Sequence, residues 1–156
     1  LQLAVCLATG AELLVLDDFS LGLDPGYRRL FVDYLRDYAR SENKTVFLTS
    51  HIIQDMERLI DDCIIMDYGS ILIQQPVREL LDTIRRYTCT VPEGYTLPKD
   101  TDFYHPAVIR NTLETYSFLT PQEVEDRFSS LQVPYNQLKC ETVNLEDAFI
   151  GLTGKY

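Results

Sequence analysis

Asp17 and Asp18 stand side by side directly after the apolar run Leu13-Leu14-Val15-Leu16, and a second apolar stretch, Lys44 to His51 ("KTVFLTSH"), ends in Ser50 and His51. Adjacent carboxylates repel each other and are costly to desolvate, so a pair at the end of a buried strand needs either water or a cation. Mg²⁺ would remove the repulsion, because it takes hard oxygen ligands and usually keeps several waters. A second carboxylate beside it could orient or deprotonate a water, and the His51 imidazole could contact a terminal phosphate. The simpler reading has the strand ending in solvent, with the Asp pair capping the next stretch of chain. Each signal is weak singly, since a lone His after a strand is more often a satisfied hydrogen-bonding residue than a catalyst.

The elements that must position these residues are legible in the first half. Glu12 to Asp17 is a continuous apolar run of strand length, which suits a strand buried on both faces of a parallel sheet. Pro25 can open a helix where its missing N–H costs nothing, with Asp24 as N-cap. Within that helix Leu30, Phe31, Tyr34, Leu35, Tyr38 and Ala39 recur on one face. Lys44 to His51 predicts a second strand, parallel to the first, and Ile52, Ile53, Met56, Leu59 and Ile60 come after it at helical spacing. Cys63 to Gln74 predicts a hairpin turning at Tyr68-Gly69-Ser70, and Pro76 to Arg86 a closing helix.

From about Tyr87 the texture changes. Pro92, Gly94, Pro98 and Pro106 cut the chain into short pieces, and the alternation in "VIRNTLETYSFL" predicts strands. Thr120-Pro121-Gln122-Glu123 has capping-box order, which predicts a helix to about Leu131. A strand within "LQVPYNQLKCETV" and a helix over Leu145 to Leu152, closed by Gly154, complete a small α+β unit. The expected division is therefore 1–84 and 85–156. The opening "LQLAVCLATG" has no initiator Met and reads as though entered in mid-helix, so the sequence is expected to be a fragment.

Composition narrows the classes. The chain has 156 residues, 46% hydrophobic and 24% charged, which is ordinary for a globular domain, and no apolar run is long enough for a spanning helix. A net charge of −10, with only 14 scattered Lys and Arg, argues against a nucleic-acid surface. Cys6, Cys63, Cys89 and Cys140 lie far apart without a C-x-x-C pair, so neither a zinc ribbon nor a redox motif is expected. His105, between Tyr104 and Pro106, reads as a surface loop residue.

Taken in order, the motifs resemble one family. "LLVLDDFSLGLDP" resembles the Walker B segment and D-loop of ATP-binding cassette (ABC) ATPases, "TVFLTSH" their switch-histidine strand, and "DYGSILIQQPVREL" the hairpin and helix closing the ATPase core. The opening resembles the helix after the family's signature loop, and "NLEDAFIGLTG" the C-terminus of ATPase subunits serving ABC exporters. The likeness is close over residues 1 to about 84 and loose over the last dozen. It implies an α/β fold: the C-terminal half of a P-loop NTPase (RecA-like) ABC ATPase core, followed by a small α+β extension. Asp17 would hold Mg²⁺ through water, Asp18 would be the catalytic carboxylate, and His51 would contact the γ-phosphate of ATP. Ser20, Leu21, Gly22, Leu23 and Asp24 would form the D-loop at a dimer contact, with Ser20, Gly22 and Asp24 on the nucleotide side. The chain departs from the family at Asp18, where Glu is usual, at Phe19, where Pro is usual, and at Leu21, where a small residue is usual.

No G-x-x-x-x-G-K-[ST] phosphate loop occurs, nor a Leu-Ser-Gly-Gly signature, so half an active site is expected here and no ATPase activity from this chain alone. The resemblance implies the ATPase subunit of an ABC transporter, using ATP and Mg²⁺. Such a subunit would pair with a second ATPase subunit and a transmembrane permease, on the cytoplasmic side of the cell membrane. The alternatives are a soluble, non-transport ABC ATPase and a regulatory or dimerisation module on a degenerate ATPase.

Overall fold

The computed structural model describes residues 7–19 and 22–154. Contacts divide the chain into two compact units, the first ending at Ile60 and the second running from Asp61. The hairpin and short helix that sequence reading assigned to 1–84 thus group with the later part of the chain.

The first unit is strand, helix, strand. β1 (Leu13–Leu16) pairs in parallel with β2 (Thr45–Leu48), Leu13 opposite Thr45 and Leu16 opposite Leu48. Between them runs α1 (Pro25–Ser41), capped by Asp24, whose carboxylate accepts from Gly26 N at 2.9 Å and Tyr27 N at 3.3 Å. This cap and Pro25 in the first turn are as the sequence predicts. At the other end the Tyr38 hydroxyl donates to Leu7 O, and Lys44 Nζ to Gly10 O. Leu7 and Ala8 are helical, and the rest of the expected opening helix lies outside the described residues.

Three expectations for this unit need correction. Strand β1 is buried on one face only: Leu14 and Leu16 are covered, whereas Leu13 and Val15 are 53% and 63% exposed, with Phe47 of β2 at 52%. Leu30 and Tyr34 of α1 also face out, so its buried residues reduce to Val32 and Leu35. Where a helix is expected after His51, the chain makes local turns and a 3₁₀ turn at Met56–Arg58. The Ser50 hydroxyl donates to Ile52 O at 3.2 Å, an acceptor that a helix would offer to Met56 N, and β-branched Ile52 and Ile53 add to the cost.

The second unit opens with the predicted hairpin, β3 (Asp62–Asp67) against β4 (Ser70–Pro76). Its turn residues Tyr68 and Gly69 have φ of 44° and 80°, the positive pair that a tight hairpin matching strand twist requires. Helix α2 (Val77–Thr83) is shorter than expected and gives way to strand β5 (Arg85–Thr90). The Arg85 guanidinium closes the helix by donating to the carbonyls of Leu81, Asp82 and Ile84. Strands β6 (Tyr104–Ile109), β7 (Thr112–Ser117) and β8 (Asn136–Glu141) complete an antiparallel sheet in the order β6-β7-β5-β8. The stretch read as a break from Tyr87 therefore begins with an inner strand. His105 is exposed as expected but lies in β6, at an irregularity in its pairing with β7.

Helix α3 (Pro121–Ser130) begins with the predicted capping box: Glu123 N donates to Thr120 Oγ1, and Thr120 N donates to Glu123 Oε2 at 2.8 Å. Its Val124 and Phe128 are buried in one cluster with Tyr87, Cys89, Leu113 and Phe103. Helix α4 (Leu145–Thr153) is capped by Asn144 and ends at left-handed Gly154. Its Gly151 lies so close to the Tyr116 ring that a Cβ there would sit 2.4 Å from ring carbons.

Candidate functional site

Parallel pairing places the carboxyl ends of β1 and β2 together, which is where α/β proteins hold ligands. The ladder continues one step past the strands: Thr49 N donates to Leu16 O at 2.9 Å, and Asp18 N donates to Thr49 O at 3.1 Å. Asp17, Asp18, Thr49 and His51 therefore converge within one patch.

The two carboxylates turn to different partners. Asp17 Oδ1 accepts a short hydrogen bond from the Thr49 hydroxyl, and Asp18 Oδ1 lies 2.8 Å from His51 Nδ1. The same hydroxyl accepts from Asp18 N at 3.0 Å, so Thr49 bridges the side chain of one Asp and the backbone of the next. An ionised Asp18 carboxylate can only accept, so in this contact His51 Nδ1 is the donor and Nε2 is left as the ring's other polar atom. The His51 and Asp18 side chains are 60% and 36% exposed, so water screens this pair and its worth lies in orientation more than in stability. Asp18 adopts a φ of 43°, the left-handed region that Asp tolerates better than most residues. That kink lets consecutive carboxylates diverge instead of opposing each other.

The other expected site residues are placed differently. The Asp24 carboxylate caps α1, and Gly22 is exposed with φ of 82°, a backbone that suits glycine. Ser20 and Leu21 lie outside the described residues. Sequence reading missed Thr49. The available signal was a hydroxyl next to Ser50 at the strand end, but its task appears only once β1 and β2 are in register.

Among the described residues no group of three or more His, Cys, Asp or Glu side chains is gathered as a ready metal cage. Asp17 is exposed, and with Oδ1 taken by Thr49 its Oδ2 is an available hard oxygen donor. A single carboxylate of this kind fits Mg²⁺, which takes its remaining oxygens from phosphate and water.

No family model matches the chain. Curated relatives do. The chain is 31% identical over 159 residues to the Nod factor export ATP-binding protein I of Neorhizobium galegae, covering 99% of this chain and 45% of the relative. It is 30% identical over 166 residues to the protein of the same name in Cupriavidus metallidurans, covering 99% and 52%. The energy-coupling factor transporter ATP-binding protein EcfA2 of Clostridioides difficile is 35% identical over 78 residues, half of this chain. The chain belongs to the ABC ATP-binding proteins. It spans about half the length of the Nod factor export relatives it matches.

Within this ABC chain the structure accounts for one departure from the family pattern. Phe19, where Pro is usual, is buried, and its ring packs at 5.3 Å from that of Phe31 in α1. An aromatic contact of this kind anchors the strand end to the helix, in place of the rigidity a proline would bring. No helix among the described residues is long and apolar enough to cross a membrane.

Proposed function

We propose that this chain is part of the ATP-binding subunit of an ABC transporter, in which binding and hydrolysis of MgATP at a dimer interface drive transport through a separate permease subunit or domain. The observation that carries the reading is the Asp18–His51 contact beside Asp17 at the ends of two parallel strands. The relatives' names, an export ATP-binding protein and a transporter ATP-binding protein, support the transport part. The finer assignment is residues 1–84 as part of a RecA-like core, residues 85–156 as an accessory extension, and a place at the cytoplasmic face of the membrane.

In this reading Asp17 would hold Mg²⁺, which would supply shielding of the phosphate charge. Asp18 uses the oxygen not occupied by His51 to orient the attacking water and accept its proton. His51, its Nδ1 anchored by Asp18, presents Nε2 to a terminal phosphate oxygen. Gly22 and Asp24 shape the turn into α1, Gly22 by its left-handed backbone and Asp24 by its cap, and with Ser20 they meet the partner subunit. The open apolar face of Leu13, Val15 and Phe47 is the kind of surface that further strands and helices of a larger core would cover.

The test compares the two carboxylates in the full-length protein. Asp17→Asn should weaken MgATP binding, whereas Asp18→Asn should spare binding and lower turnover by on the order of 100-fold or more, as loss of a general base does. Titration of nucleotide affinity and steady-state hydrolysis read the two effects separately. Equal behaviour of both variants would overturn the division of roles, and copurification with a membrane protein tests the transport assignment.

A further inference from the structure

The chain after His51 is held by short-range turns. Ser50 Oγ bonds to Ile52 N and O, Met56 N donates to Ile53 O at 2.9 Å, and Leu59 N and Ile60 N donate to Met56 O. Such bonds set local curvature but do not decide where the segment lies. Longer-range anchors do that: the buried Met56 side chain, and Asp55, whose Oδ2 accepts from Arg28 Nε at 2.9 Å. The two charged side chains are only 14% and 24% exposed, so their attraction is screened less than that of a surface pair.

Arg28 sits one turn into α1. Its backbone N donates to Asp24 O at 2.9 Å, and the Asp24 carboxylate caps the same turn. A bonded path therefore runs from Asp24, at the end of the turn holding Gly22, through Arg28 and Asp55 to the segment that begins with His51. The His51 ring itself is held by the Asp18 carboxylate, which is 36% exposed.

We infer that Arg28 and Asp55 are a positioning pair, which fixes the His51 segment against the first turn of α1 and so keeps the imidazole aligned with Asp18. This rests on the proposed role of His51 in hydrolysis. Neither residue meets the nucleotide. Their effect passes through His51.

The experiment measures kcat and KM for ATP in the full-length protein carrying Arg28→Gln, Arg28→Lys or Asp55→Asn, each alone and combined with His51→Ala. It also follows the His51 imidazole resonance by NMR, assigned by its loss in His51→Ala. Arg28→Gln and Asp55→Asn should lower kcat by on the order of 10- to 100-fold, the scale that a misplacement of about 1 Å produces, with KM little changed. Arg28→Lys, which keeps the cation, should recover most of the turnover. In the His51→Ala background these substitutions should cause no further loss, because the pair acts through that residue. The His51 resonance should also move in Arg28→Gln and Asp55→Asn.

Losses that multiply in both backgrounds, or a His51 resonance that stays in place, would overturn the inference and leave the pair a fold stabiliser. If Arg28→Gln does not fold, Asp55→Asn, which removes the charge of the pair at nearly unchanged side-chain size, gives the same readouts. His51→Ala with full turnover would overturn the hydrolytic role of His51 and this inference with it. If His51→Ala loses turnover while Asp55→Asn keeps it, only the positioning role falls.

Discussion

At Asp18 the backbone is left-handed, with φ of 43°, and the carboxylate is set 2.8 Å from His51 Nδ1. Both facts favour Asp over the Glu that is usual in the family. Asp enters the left-handed region more readily than longer side chains, and an extra methylene would push the carboxylate outward by roughly 1 Å. We therefore expect Asp18→Glu to lower turnover in the full-length protein, and a faster enzyme would show that the shorter side chain limits the rate. Asp17, Asp18 and His51 were legible in sequence because each closes an apolar run of strand length. Thr49 was not, since its hydroxyl acquires two partners only through the pairing of Leu16 with Leu48.

Local signals survived best at the level of elements. Asp24-Pro25, Thr120 with Glu123, and Tyr68-Gly69 each specify a cap or turn within a few residues, and each appears where the sequence places it. The end of helix α2 and the start of strand β5 were missed because the switch at Ile84 depends on partners distant in sequence, β7 and β8. The helix expected after His51 failed because the Ser50 hydroxyl occupies the Ile52 carbonyl, and the apolar spacing cannot weigh that competition. The capping box carries a pH dependence. Hydrogen bonds from the Thr120 backbone N–H and hydroxyl hold the Glu123 carboxyl below its ordinary range. A depressed value means the contribution to folding is present above the unfolded carboxylate value and disappears as pH falls through the folded one. Urea unfolding should then show Glu123→Gln less stable than the parent at neutral pH, with the difference vanishing in acid. A difference that persists in acid would mean the carboxylate charge is not its source.

For the molecule as a whole, the absent motif weighs as much as those present. None of the 156 residues forms a G-x-x-x-x-G-K-[ST] loop, whose amides and Lys would cradle the β- and γ-phosphates. This chain alone should therefore show no appreciable ATP affinity by calorimetry and no hydrolysis, and micromolar affinity would contradict that. The two units also differ in how they are built. The second pairs four antiparallel strands, β6 and β7 joined through Arg110 and Asn111 alone, around a shared cluster of buried residues. The first has two parallel strands joined through α1, with Leu13, Val15 and Phe47 left open on one face. Loop closure must precede any reward from parallel pairing, and a two-stranded sheet is marginal by itself. On dilution from denaturant the second unit should thus acquire protected amides early. The strand ends bearing Asp17, Asp18 and His51 should be among the last to resist hydrogen exchange, so the site's chemistry is assembled where the polypeptide is slowest to settle.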